Sequence, residues 1–467
     1  MKTCSLCFSR VCVDNDRKRE VRFSSGRWRT FGALHCIQPC AKAGKKVLLL
    51  ERFVLFNQSG SSAGLIRMFR TMYTEDYTAD LAKDSIHLWN ELEKEAGVKL
   101  REMSGLLNFG DPTYKSGPEG NLKDPIKNLK RLGMKYQELT VHEIMQQLPF
   151  KSLPQNFEGL WAPDNGCINV ALLVRKLAEL SRKRGVIIKE YANVQKVKVD
   201  GNDVTVEVTV SSGDSTCTLK TFHAQKCAIT TGAYTNHILE PSFGIKLNLD
   251  IWEMVYAYYA CDPELIYRRS SADRDTIQAL EGRPFKCMWF QFAKSDDSDS
   301  SDPNRASNLF YGFPSVPWGP PNLARIAVDN AVRRITDPDD RCTNPSAYDI
   351  ERTRKFVREH TIGVIDQPSF AGTCLQTNLP DNMFVLDYIP KHRNVVVFTG
   401  GWGFKFVPLI GLILKQMLFD RFGTKYDISH FKITRPGVIV AGGTDAKPIL
   451  VLTVFFVFVY LFIIILL

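Results

Sequence analysis

Residues 371–406 read AGTCLQTNLPDNMFVLDYIPKHRNVVVFTGGWGFKF, and this pattern decides how the rest of the chain is placed. Two short apolar, β-branched runs, FVLDYIP and NVVVFTG, have the composition of buried strands, and TNLPDN before them supplies turn residues. The stretch therefore predicts a hairpin-like pair. The glycines of GGWGFK follow the second run directly. Backbone without side chains can approach a ligand closely there, with Lys405 carried into the same space. Cys374 and Lys405 stand near the two ends of the stretch in Gly-containing settings, which marks it as a place for chemistry. A buried Cys and a Lys stem folded along apolar surface is the plainer reading of the same two residues.

Cys374, two residues, then Thr-Asn-x-Pro-Asp-x-x-Phe-x-x-Asp, a strand, a Gly-rich turn and Gly-Phe-Lys-Phe resembles the monomeric sarcosine oxidase and L-pipecolate oxidase family. These are FAD-dependent amine oxidoreductases of the D-amino acid oxidase-like fold. The resemblance implies that Cys374 carries FAD through a thioether. It also implies that Lys405 helps to hold a substrate carboxylate, with Gly401, Gly403 and Phe404 against the cofactor.

Working outward, AKAGKKVLLLERF at residues 41–53 reads as a helix end capped by Gly44, a buried strand and a closing acid, Glu51. In a Rossmann unit such an acid binds ribose hydroxyls of the dinucleotide. About twenty residues earlier, where G-x-G-x-x-G should open the first helix, the chain has GRWRTFGALHC with only Gly26 and Gly32. Side chains such as Trp28 and Phe31 would keep backbone N–H groups from the pyrophosphate. Either the first turn is replaced in this chain, or FAD is held without it. GSSAGLIRMFRTMYTEDY resembles the family run after that acid, so Gly60, Ser61 and Ser62 are expected near the phosphates. Arg67 is expected against the flavin ring and Arg70 on the substrate carboxylate. The i, i+3 spacing of the two arginines is read as one helical face, with a solvated basic face as the alternative. Residues 77–96 read as an amphipathic helix.

By the same resemblance Val194 meets the adenine through its backbone, and Gly232 in KCAITTGAYTN belongs to a second dinucleotide-side motif. WEMVYAYYACD and CMWFQFA read as aromatic strands with the polar loop SDDSDSSDPN between them. LFYGFPS resembles the run that places Tyr311 over the substrate side of the flavin. In LARIAVDNAVRRITDPD, Arg325 stands where the family carries a Lys for oxygen activation, and Asp329 where it carries an active-site His. Gln376 replaces a family Tyr. Arg325 keeps the fixed positive charge, but neither named enzyme's substrate preference can be transferred.

A chain of 467 residues with 44% hydrophobic content is long enough for two or three domains. Its formal charge of +10 is spread along the chain, which favours anionic small ligands or a membrane surface over nucleic acid. Residues 1–40 read as a basic, irregular segment. The pair Cys4 and Cys7 lacks a second pair, so no metal site is expected. The twelve Cys show no framework spacing and no apolar signal run precedes them, so reduced thiols are expected. Residues 449–467, ILVLTVFFVFVYLFIIILL, are uncharged and span about 28 Å as a helix, near the thickness of a bilayer's hydrocarbon core. They are read as a C-terminal membrane anchor with the enzyme body in the cytosol. A terminal Ser-Lys-Leu-like peroxisomal signal is absent.

The expected architecture is α/β: a Rossmann-like FAD-binding domain (about 41–96, 160–240 and 370–435), a substrate domain on a mixed β-sheet (about 97–159 and 241–369) and the C-terminal apolar helix. The expected function is FAD-dependent oxidation of a secondary or N-methyl amino acid to an imine, with oxygen reduced to hydrogen peroxide. Arg70, Lys405, Tyr311 and Arg325 form the catalytic set. The alternatives are a membrane-anchored flavin dehydrogenase using another acceptor and a non-catalytic relative lacking the glycine turn.

Overall fold

The computed structural model describes residues 11–14, 39–55, 57, 60–62, 64–116, 120–212, 216–262, 285–293, 309–329 and 333–440. Most of the basic N-terminal segment with Gly26 and Gly32, the SDDSDSSDPN loop and the apolar residues 449–467 lie outside them. Among the described residues no helix is long and apolar enough to cross a membrane.

Two sheets carry the structure. The first has six strands in the order Ile187–Lys189, Val47–Leu50, Val11–Asp14, Cys227–Ile229, His392–Thr399 and Val385–Ile389. Val47 and Leu49 enter one core with the helices Asp76–Ala96, Val170–Lys183 and Val407–Phe419. Leu48 and Leu50 enter another with the three-stranded sheet Ala192–Asp200, Asp203–Ser212 and Thr216–Ala224. Burial on both faces is why VLLL and VVVF read as continuous apolar runs rather than alternating ones. The hairpin expected from the opening stretch forms: Val385–Ile389 pairs antiparallel with His392–Thr399, and Lys391 takes a positive φ of 68° in the turn.

The N-terminal segment, expected to be irregular throughout, contributes one strand to this sheet. Val11–Asp14, VCVD, has enough β-branched character to pair on both sides, and it runs antiparallel to both neighbours. Val11 lies opposite Leu50 and Ile229, and Asp14 opposite Val47.

The second sheet has nine strands and mixed direction. Met288–Phe292 and Leu106–Gly110 are parallel, and the other pairings are antiparallel. The aromatic strands expected from the sequence lie at its centre. Trp289 is fully buried and stacks on Phe356 of the helix Ala347–His360, with 5.2 Å between ring centroids. Val364–Asn378 pairs with Asp250–Cys261 in this sheet, and the chain then turns into the hairpin of the first sheet. The stretch quoted at the outset thus joins the two sheets, with Cys374 on one side of the junction and Lys405 on the other.

Candidate active site

A cavity of about 260 Å³ opens at that junction. Cys374 reaches it from the long strand, where it lies opposite Met254; Gln376 lies opposite Trp252. From the first sheet come Thr230, Gly232 and Gly400 to Lys405, and from the second Tyr311 and Arg325.

The Gly-rich turn packs closely against its protein neighbours. A Cβ at Gly400 would lie 2.7 Å from the Phe384 Cα, one at Gly401 2.9 Å from the Asn378 Oδ1, and one at Gly403 2.4 Å from the Phe398 Cζ. Packing thus requires glycine at these positions, and Gly401, Gly403 and Phe404 also line the cavity. Trp402, with φ of 65°, starts the 3₁₀ turn Gly403–Phe406. The Lys405 carbonyl then accepts hydrogen bonds from Trp89 Nε1 at 2.7 Å and Ser85 Oγ at 3.1 Å, which pins the turn to the buried face of Asp76–Ala96. Replacing Gly403 by Ala is expected to cost about 1–3 kcal/mol of stability by overpacking against Phe398, read as a lower denaturant midpoint.

Lys405 is nearly buried, and its Nζ lies 5.7 Å from the ring centre of Tyr73; the guanidinium of Arg70, also buried, lies 4.6 Å from the same ring. Tyr73 therefore contacts both cations. The helical face assigned to Arg67 and Arg70 is overturned, because Ile66–Phe69 is a strand antiparallel to Gly166–Asn169 with Arg67 opposite Ile168. Both arginines still reach the cavity, since the chain leaves the strand at Arg70 and Asn165 Oδ1 accepts the Thr71 N–H at 2.7 Å. Arg67 donates to the carbonyls of Ile66 (2.9 Å) and Ser61 (2.7 Å), which ties Gly60, Ser61 and Ser62 to the same wall.

Arg325, on Leu323–Val328, is buried. It donates to the Ile66 carbonyl at 3.2 Å and the Tyr311 hydroxyl at 3.3 Å, with its guanidinium 4.6 Å from the Tyr256 ring centre. Burial pushes the Tyr311 phenol up to about 12, with the charge of Arg325 working the other way. The folded value lies above the unfolded one, so Tyr311 remains a neutral hydroxyl until pH rises past the ordinary range near 10. Alkaline ultraviolet titrations of wild type and Tyr311→Phe should therefore coincide through about pH 10 and part only above it.

Sequence reasoning missed Tyr73, Arg52 and two threonines. Arg52 is fully buried at the cavity wall, donates to both carboxylate oxygens of Asp339 at 3.3 Å and lies 4.3 Å from the Tyr234 ring centre. Its place directly after the strand-closing acid was the available signal. Thr230 and Thr377 also line the wall, with their hydroxyl oxygens enclosed by protein rather than open to the cavity. Five cations, Arg52, Arg67, Arg70, Arg325 and Lys405, meet one carboxylate, Asp329, among the described lining residues. A positive, partly apolar cavity suits a planar group with polar edges and an anionic partner, as the flavin ring and a carboxylate are.

Glu51 and Val194, expected at the adenosine half of the cofactor, lie outside the lining of this cavity. Glu51 is fully buried and its Oε1 accepts the Phe53 N–H at 2.8 Å; the Val194 side chain belongs to the core. The ring end of FAD thus fits the lining residues.

Residues 33–417 match the family of FAD dependent oxidoreductases. The chain belongs to that family. A Dictyostelium discoideum protein provisionally named a bifunctional amine oxidase is 46% identical over 88% of this chain, which spans only 37% of that protein's length. Human peroxisomal sarcosine oxidase is 29% identical, over 85% of this chain and 91% of its own. The open form of NikD, an amino acid oxidase essential for nikkomycin biosynthesis, superposes with a TM-score of 0.72 at 27% identity, covering 85% of this chain and 94% of its own. The sarcosine oxidase-like resemblance and the mixed-sheet α/β fold are therefore shown. Within the family framework the Cys374, Arg70 and Lys405 positions meet at one cavity.

Proposed function

We propose that this chain is a flavin-dependent amino acid oxidase acting on the CH–NH bond of a secondary or N-methyl amino acid. The observation that carries the reading is the meeting of Arg70 and Lys405 around Tyr73 on the cavity that Cys374 lines. Two buried cations at one end of a largely apolar space bind a carboxylate strongly, because little water competes for it. FAD, when bound, supplies the two-electron acceptance that turns the CH–NH bond into an imine, and oxygen takes the electrons onward as hydrogen peroxide. Arg70 grips the carboxylate and Lys405 completes the clamp. Arg325 keeps a fixed positive charge against the Tyr311 side, where it favours negative charge developing on oxygen. Met254, Phe290 and Phe313 exclude water. Cys374 is the residue through which the cofactor would be tethered.

Peroxide release from the purified chain with sarcosine or pipecolate, measured in a coupled assay, tests the reading; no peroxide with any secondary amino acid rejects it. A second reading, a dehydrogenase with another acceptor, is favoured by the Arg325 guanidinium, already held by Ile66 and Tyr311. Faster turnover with an artificial acceptor than with oxygen would select it.

A membrane anchor with the enzyme body in the cytosol rests on the hydropathy of residues 449–467 alone. The full chain is expected to stay with membranes through alkaline extraction, and a chain ending at residue 440 to be released. Release of both would remove the anchor.

A further inference from the structure

We propose that Asp329 makes this cavity select secondary amino acids whose side chain carries a second, cationic group, the class to which α-N-methyl-lysine belongs; this rests on the amino acid oxidase reading above. The first observation is placement. Asp329 follows the strand Leu323–Val328, and its backbone N–H donates to the Leu309 carbonyl at 2.7 Å, so the pairing with Phe310–Phe313 runs one residue past the strand. Alternation then puts Arg325, Ala327 and Asp329 on one face, with Leu309, Tyr311 and Phe313 beside them. That face is the cavity's, since Tyr311, Phe313, Arg325 and Asp329 all line it. The charge of Asp329 is felt there: burial is the main upward push on the Tyr311 phenol, and Asp329 adds to it.

The second observation is how the charges are divided among the elements. The clamp for the substrate carboxylate comes from Arg70, just after Ile66–Phe69, and from Lys405 in the turn Gly403–Phe406. An amino acid held there leaves its side chain to the rest of the lining. That lining is apolar at Met254, Phe290 and Phe313, which suits methylenes, and anionic at Asp329 alone among the described residues, which suits a terminal ammonium. The α-amine is the wrong partner for this carboxylate, because oxidation of the CH–NH bond needs the nitrogen lone pair and a neighbouring anion would hold that amine protonated. The third observation is the sequence itself. Asp329 stands where the resembled family carries a His, and that exchange trades a neutral or positive ring for an anionic acceptor.

The test mixes the full chain, with its flavin, anaerobically with α-N-methyl-L-lysine, with N-methyl-L-norleucine, which has the same four side-chain carbons without the ammonium, and with sarcosine. Bleaching of the flavin gives the second-order rate of reduction whatever the final acceptor. The lysine derivative is expected to react faster than the norleucine derivative by about 10–100-fold, the worth of one hydrogen bond between charged groups. Asp329→Asn should bring that ratio to within about threefold, and Asp329→Glu should keep the lysine derivative ahead. Equal rates for the two derivatives on wild type overturn the proposal, and so does a preference that survives in Asp329→Asn, which would put Asp329 on a group common to both substrates. Should Asp329→Asn fail to fold, the wild-type ratio and Asp329→Glu decide. Bleaching by sarcosine or the norleucine derivative without a preference for the lysine derivative removes this inference and leaves the oxidase reading standing. No bleaching by any of the three rejects that reading, and this inference with it.

Discussion

Arg70→Met is expected to lower kcat/KM for an amino acid substrate by about 10²–10³-fold, with flavin content unchanged. Arg70 is buried, with its guanidinium on the face of Tyr73, whose ring also meets Lys405. Removing one partner of a buried charged contact costs about 2–5 kcal/mol, much of it for the charge left unanswered. At about 1.4 kcal/mol per tenfold the middle of that range gives the stated factor. If the arginine acted only as packing, the variant would melt earlier while a substrate lacking the carboxylate lost as much activity as one bearing it. The expected pattern is a selective loss for the carboxylate-bearing substrate. Lys405→Met should show the same selectivity, and the double variant should lose less than the product of the two, because both cations serve one anion.

Cys374→Ala is expected to abolish acid-stable flavin altogether. The thiol is small and buried beside Met254 and Trp252, so removing it deletes one sulfur from the packing and leaves the strand pairing with Asp250–Cys261 in place. Protein precipitated from the variant should be colourless, with the flavin in the supernatant, whereas wild type should carry its colour into the pellet. Covalent flavin surviving in the variant would move the attachment to another residue. The accompanying loss of fold stability is expected to be small, about 1 kcal/mol, and a denaturation curve checks it.

The parts of the fold legible in the sequence were those where local pattern and burial agree. VLLL, FVLDYIP and NVVVFTG are apolar on both sides because both faces of their sheet are covered. Cys374 and Lys405 were readable because they stand in Gly-containing settings and because the pattern around them, from Thr-Asn-x-Pro-Asp to Gly-Phe-Lys-Phe, resembles that of the sarcosine oxidase family. Arg67 and Arg70 were assigned to a helix because their spacing suits one. Pairing of Ile66–Phe69 with Gly166–Asn169, nearly a hundred residues away, is a long-range contact that spacing does not encode. The same holds for Tyr73, which becomes part of the site only when Lys405 is folded against it, and for Arg52, whose partner Asp339 is distant in sequence. Val11–Asp14 carried a strand's composition in four residues, too short a run to show its direction.

The visible spectrum of the purified full chain, taken anaerobically before and after adding a secondary amino acid, tests most directly whether a flavin faces a carboxylate clamp at this cavity. A yellow protein that bleaches with the amino acid, and does not when Arg70 and Lys405 are both replaced by Met, is the expected result. A colourless protein, or equal bleaching in the double variant, would contradict it.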